Sequence, residues 1–239
     1  VSKFFFNNHL MILCFHEISD NPSKFQKKYD LNLSIDSFEK LISDLSKIYT
    51  FISPEEICSA NLNKLKGRNI LITFDDGYEG SFINTHQILE YYKAPAIFFL
   101  NMNSIIKQTP LVSALASYCE DNSQNSNLKN FHLEIDVDSY NNLQNKYKKK
   151  IDEILVYQGK LIDYDQLKRF SKKKYIYFGN HMYEHYNVKV LNDYEIHKMY
   201  LQNIKELNKF NNFVNFFSFP NGIPNVSFSN NQIIYIIKN

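Results

Sequence analysis

Short apolar runs that stop abruptly at polar residues punctuate this chain from end to end. Ile70 to Phe74 is rich in β-branched and aromatic residues and is bounded by polar ones, which predicts a strand buried on both faces. Leu10 to Phe15 reads as a further buried strand, Ala96 to Leu100 as another, and Tyr175 to Phe178 and Phe213 to Phe219 extend the set, with Tyr49 to Ile52 as a short addition. Between these runs the spacing becomes helical. Ser34 to Ile48 carries Ile35, Phe38, Leu41, Ile42, Leu45 and Ile48 behind a serine suited to capping, and Ser53-Pro54-Glu55-Glu56 reads as another helix start. Asn84 to Tyr92, Tyr164 to Phe170 and Asp193 to Phe210 follow with the same spacing. Strand, helix and strand in succession predict an α/β domain built on a parallel sheet.

Two stretches depart from this rhythm. From Asn101 to Leu161 the alternation lapses into polar, mostly helical or irregular sequence, and we read it as an insertion on one loop of a single domain spanning 1–239. Its basic run, Lys146 to Lys150, reads as a solvated helix face. The last stretch, Asn230 to Asn239, fits a helix or a strand. At the other end, Asn7, Asn8 and His9 interrupt the apolar patches of Phe4 to Phe15, which makes a poor signal peptide, and no run approaches the length of a membrane span. The expected location is cytoplasmic or peripheral to a membrane, with export left open because the chain begins at Val1.

Composition narrows the partners. With 27 basic against 25 acidic residues among 239, the net charge of +2 is too balanced to argue for nucleic acid or an anionic membrane surface. Cys14, Cys58 and Cys119 are widely spaced and odd in number, so they form neither a disulfide framework nor a Cys-x-x-Cys knuckle.

The chemistry lies where the strands stop. Phe74 is followed by Asp75, Asp76 and Gly77, Phe15 by His16, and the run ending at Phe178 by Gly179-Asn180-His181-Met182-Tyr183-Glu184-His185. Asp-Asp-Gly alone is an ordinary turn signal, and a lone histidine pair is more often a surface feature. Placed together at the C-terminal ends of parallel strands, they converge where α/β folds carry their chemistry. Two imidazoles and one carboxylate make three ligands and leave positions on a divalent metal for water and substrate. An adjacent acid that binds no metal can take a proton from the activated water.

At these residues the chain resembles polysaccharide deacetylases of the NodB-homology type, carbohydrate esterase family 4. That family's Thr-Phe-Asp-Asp-Gly stands here as Thr73 to Gly77, and its His-(Ser/Thr)-x-x-His corresponds to His181 to His185. Its Arg-x-Pro-(Tyr/Phe)-Gly corresponds to Ser218 to Gly222, and Phe15-His16-Glu17-Ile18 is similar to the Tyr-His-x-Ile that opens many members. The resemblance implies a distorted, incomplete (β/α) barrel. It implies Asp75 as general base, Asp76, His181 and His185 as ligands of a divalent metal, and the backbone N–H of Asn221 as oxyanion donor. Zinc is the expected metal, with iron, cobalt or nickel compatible with the same donors. The implied reaction is hydrolysis of N-acetyl groups on amino sugars of a bacterial surface polysaccharide or its precursor.

Three departures accompany the resemblance. Met182 stands where Ser or Thr is usual, Ser218 where an arginine is usual, and no histidine follows His197 to act as the acid many members supply near the C-terminus. The chain therefore reads as C-terminally incomplete or as a branch without that acid, with His16 as a candidate substitute. Tyr78, Phe219 and Pro220 are candidate sugar contacts. The alternatives are a hydrolase of another amide or ester on this fold, or a degenerate glycan-binding domain.

Overall fold

The computed structural model describes residues 8–59, 67–123 and 131–238. Residues 4–7 of the segment read as a poor signal peptide, 124–130 of the polar stretch and 239 of the last stretch lie outside the described residues.

In chain order the first elements are β1 (Asn8–Phe15), β2 (Glu17–Ile18), α1 (Lys24–Lys28), β3 (Asn32–Leu33), α2 (Ile35–Ser46), β4 (Thr50–Phe51) and α3 (Pro54–Ser59). Ser34 caps α2 as expected, its side chain accepting from the N–H of Ser37. There follow β5 (Gly67–Phe74), α4 (Glu79–Ile83), α5 (His86–Tyr91) and β6 (Ala96–Leu100). The stretch read as an insertion holds α6 (Met102–Lys107), α7 (Val112–Asn122), α8 (Phe131–Glu134), α9 (Val137–Lys146) and α10 (Ile151–Gln158). The chain then returns to alternation with α11 (Tyr164–Phe170), β7 (Ile176–Asn180), α12 (Asp193–Leu207) and β8 (Phe213–Phe217), and closes with α13 (Asn230–Lys238). The last segment is thus a helix.

The main sheet is parallel throughout, in the order β1-β5-β6-β7-β8, with β4 paired to the start of β5. The described strands leave it open, as an incomplete barrel requires. Side chains alternate across a strand, so its two faces can be read from the register. One face carries Ile70, Ile72, Phe74, Ala96, Phe98, Leu100, Ile176 and Phe178, all buried beneath helices with Phe38, Ile42, Phe82, Leu89 and Leu167. Phe98 stacks on Phe74 at 4.6 Å and on Phe82 at 4.0 Å between ring centroids. Pairs of this kind add about 1 kcal/mol each beyond the apolar area they bury.

The other face carries a smaller cluster of Leu71, Ile97 and Phe99, packed with Leu10, Tyr177, Val214 and Phe216. Strand β1 is the edge of this sheet, and Ile12 is 59% exposed with Cys14 also exposed. Its sequence reads as a further buried strand, yet Ile12 and Cys14 stand open on one face. An apolar run alone cannot distinguish an edge from a centre.

The insertion shows a second difference. Its lysine run is exposed at Lys146 and Lys148–Lys150, as its composition predicts. Helix α7, however, is buried without interruption from Val112 to Cys119. It forms a second core with Ile154, Tyr157, Met182, Tyr186, Val188 and Ile196. The small residues Ser113, Ala114, Ala116 and Ser117 allow close packing around the whole helix, and these residues do not register as strongly apolar in sequence.

Candidate active site

The register brings the strand-end residues together. Cys14 pairs with Thr73 and Phe15 with Phe74, and the N–H of Asp75 donates to the Phe15 carbonyl at 2.9 Å, so His16 emerges beside the acids. Phe99 lies opposite Gly179 and Leu100 opposite Asn180, while Asn180 pairs with Phe217, which sets His181 beside Ser218. Asp75, His181 and Ser218 therefore continue the less covered face beyond the strand ends.

The backbone bends sharply here. Asp76, Met182 and Asn221 all have left-handed φ values, of 71°, 64° and 63°, and Gly77 follows at 82°. Such conformations are costly for residues with side chains and persist only where the surroundings hold them. At Met182 that hold comes from a buried asparagine network. Asn101 donates from Nδ2 to the carbonyls of His181 and Met182. The Oδ1 of Asn180 accepts from the Met182 N–H at 3.0 Å and from Asn203 Nδ2 at 2.7 Å, and Asn203 donates again to the Leu100 carbonyl at 2.8 Å. Met182, in place of a hydroxyl residue, is fully buried in the second core. The loop is thus fixed by amides and packing.

Asp76, His181 and His185 offer one donor atom each within 4.8 Å of one another, all from buried residues. Asp76 Oδ1 lies 3.1 Å from His185 Nε2 and 3.4 Å from His181 Nε2, and it takes no hydrogen bond of good geometry. Both rings are oriented from behind: His181 Nδ1 meets the Ser218 carbonyl at 2.9 Å, and His185 Nδ1 meets the Ser113 hydroxyl at 3.2 Å. A ligating histidine is held in this way, with its second nitrogen engaged and its first directed at the ion. The donor set fits a divalent cation. Burial pushes the Asp76 carboxyl up, but the charge of His185 and the close approach of the His181 and His185 ring nitrogens reverse this and hold it well below the usual carboxylate range. Burial likewise disfavours a charge on His181, yet Asp75, Asp76 and the Ser218 carbonyl raise it above its ordinary value. These shifts couple Asp76 to His181 as opposite charges.

Asp75 stands beside this unit. Its Oδ2 accepts from the Ser218 hydroxyl at 3.1 Å and lies 4.0 Å from His181 Nε2, while its buried Oδ1 takes no hydrogen bond. A cavity of about 340 Å³ opens over the group, lined by Asp75, Asp76, His181, His185, His16, Cys14 and Asn221 with Tyr29, His132 and Ile223 among others.

The three candidate sugar contacts fall elsewhere. Tyr78 is fully buried in the second core and joins Leu161 in an isolated bridge after the turn at Gly77. Phe219 stacks on Phe228 at 4.1 Å and meets Phe217 edge-on at 4.8 Å, and Pro220 is buried next to it. None of the three is among the residues that line the cavity. Residues that sequence reasoning missed take their place: Ser113 from α7, His132 from α8 and Tyr29 after α1. His132 meets Glu120 at 3.0 Å and the Tyr29 hydroxyl at 3.3 Å. No local signal marks them, since each arrives through tertiary packing.

Sheet, strand ends and donor set together define an α/β fold of the NodB type with a candidate divalent-metal centre at its C-terminal edge. The chain belongs to the polysaccharide deacetylase family, whose model matches residues 63–235. Its fold is similar to that of Streptococcus pyogenes deacetylase PplD in complex with acetate, with a TM-score of 0.64 and 15% identity over 97% of this chain and 80% of that one. It is similar also to BC0361, a polysaccharide deacetylase from Bacillus cereus, with a TM-score of 0.62 and 15% identity. That match covers 98% of this chain and only 56% of the Bacillus cereus protein. IcaB from Ammonifex degensii matches with a TM-score of 0.60 and 13% identity, over 97% of this chain and 80% of that one. No curated protein matches the chain. Among the described residues no helix is long and apolar enough to cross a membrane.

Proposed function

We propose that the protein is a metal-dependent hydrolase that removes N-acetyl groups from amino sugars of a bacterial surface polysaccharide or its precursor. The observation that carries this reading is the convergence of Asp76, His181 and His185 at ligand separations beside Asp75 at the floor of an open cavity. Family membership supports the reaction class. Asp76, His181 and His185 are the residues that would hold a divalent cation, with zinc favoured among ions that suit two imidazoles and a carboxylate. When bound, such an ion polarises an amide carbonyl and makes water a stronger acid.

The rest is the work of this chain's own groups. Asp75, with one oxygen steadied by Ser218 and the other unpartnered, accepts the proton of the attacking water. The backbone N–H of Asn221, on a turn held in a left-handed conformation, donates to the developing oxyanion. His16 lines the same cavity beside Asp75 and delivers a proton to the leaving amine nitrogen. The products are acetate and a free amino sugar.

The test is metal content together with acetate release from N-acetylglucosamine oligomers, for the native protein beside His181→Ala. Stoichiometric metal and acetate release, both lost in the variant, are expected. Tightly bound metal with no acetate released from any N-acetylated sugar would overturn the assignment of substrate.

A further inference from the structure

The cavity holds a second cluster of metal-binding side chains, and the acetyl-transfer chemistry leaves it without a role as a group. Cys14, His16 and Asp75 also present one donor atom each within 4.8 Å of one another. The backbone fixes this proximity. Cys14 is in register with Thr73, two residues before Asp75 on the same face of the sheet, and the Asp75 N–H is bonded to the Phe15 carbonyl between Cys14 and His16. A second observation points to a ligand. Asp75 is only 7% exposed, yet its Oδ1 is buried with no hydrogen-bond partner, while Oδ2 is occupied by Ser218. Oδ2 thus faces the first group, and Oδ1 is left without a partner inside the protein.

We propose that Cys14, His16 and Asp75 form a second cation site, selective for zinc or another thiophilic divalent ion, beside Asp76, His181 and His185, and that filling it withdraws Asp75 from proton transfer. The thiolate makes the selection, because sulfur favours zinc, cadmium and cobalt over magnesium or calcium. Tetrahedral zinc sets its donors about 3.5 Å apart, a separation that donors already within 4.8 Å of one another reach by side-chain adjustment. The capture step balances simply: the thiol S–H breaks, its proton passes to solvent, and a sulfur–metal bond forms. The fourth position faces the cavity and takes water. An Asp75 oxygen bound to a cation is no longer a free base. The consequence is inhibition by excess zinc of an enzyme that needs one zinc to work. The inhibitory part rests on the role of Asp75 argued above, whereas the binding part stands without it.

The metal-free protein, stripped with a chelator and titrated with Co²⁺, provides the test. Two equivalents are expected to bind. The first, held by nitrogen and oxygen alone, gives only weak visible bands, and the second adds a near-ultraviolet thiolate-to-cobalt band. Cys14→Ser and His16→Ala each remove that band and the second equivalent, while Cys58→Ser keeps both. With saturating zinc, acetate release by the native protein falls about 100-fold or more, the scale of losing a general base, and Cys14→Ser escapes this fall. A single equivalent in the native protein, or a thiolate band that survives Cys14→Ser, would overturn the second site. A thiolate band in a protein that releases no acetate would instead overturn the deacetylase reading and leave the site standing.

Discussion

Ser218 donates its hydroxyl hydrogen bond to Asp75 at 3.1 Å and accepts, through its own carbonyl, the Nδ1–H of His181 at 2.9 Å. One small residue steadies both the acid and a proposed ligand beside it, at the position where related motifs carry arginine. Ser218→Ala removes the first contact and leaves the second, which is made by the backbone. A hydrogen bond to a charged group contributes about 1.5 kcal/mol, so kcat should fall about tenfold with metal content unchanged. Steady-state kinetics beside metal analysis checks this, and an unaltered kcat would show that the hydroxyl does not tune Asp75.

The Ser113 hydroxyl meets His185 Nδ1 at 3.2 Å from a helix about seventy residues earlier in the chain. Loss of a partner behind a ligating histidine commonly weakens a metal site about 10- to 100-fold. Ser113→Ala should show that loss in competition with a chelator, with little change in thermal stability. An unchanged affinity would mean that packing alone orients the ring.

Glu17 gives a pH dependence that has nothing to do with metal. It is buried, and burial pushes its carboxyl up to about 8 despite hydrogen bonds from Gln26 and nearby backbone. The folded protein therefore keeps a proton that the unfolded chain releases near 4.5. Between those limits the native state binds more protons, so stability falls as pH rises, with a slope approaching about 1.4 kcal/mol per pH unit. Above the folded value both states are ionised and the slope vanishes. Glu17→Gln should flatten this dependence in urea denaturation at a series of pH values, and an identical slope in the variant would assign the effect to other groups.

Gly179 lies opposite Phe99 in the sheet, and a Cβ placed on it would meet that ring at 2.5 Å. The ring must leave its place in the small cluster with Leu71 and Ile97. Gly179→Ala should therefore cost about 1 to 3 kcal/mol by denaturant unfolding. A neutral result would reveal room on that face for Phe99 to rotate.

The sequence made legible what depends on local order. Asp75, Asp76, His181 and His185 could be found because each follows a run of strand-forming residues, and a parallel sheet brings such ends to one edge. The cap on α2 and the limits of α11 were legible for the same reason. Ser113, His132 and Asn203 were not. Ser113 lies in a helix whose small residues mask its burial, and Asn203 sits within the apolar stripe of α12, where periodicity gives no sign of a polar network. Tyr78 illustrates the opposite failure. An aromatic residue next to two strand-end acids reads as a sugar contact, but only the path of the chain after Gly77 decides whether it faces the cavity or the core.

The two main cores meet at the site. Asp75 and Asp76 end a strand of the sheet core, His185 is braced by the helix that dominates the second core, and Tyr183 packs against both. A cation gripped there spans a seam between two separately packed bodies. Ion binding stabilises such a junction by mass action. Hydrogen exchange should therefore slow in residues 180–186 and along α7 when the ion is added, while the sheet's central strands exchange as before, so that local breathing reports how much of the protein is charged with metal.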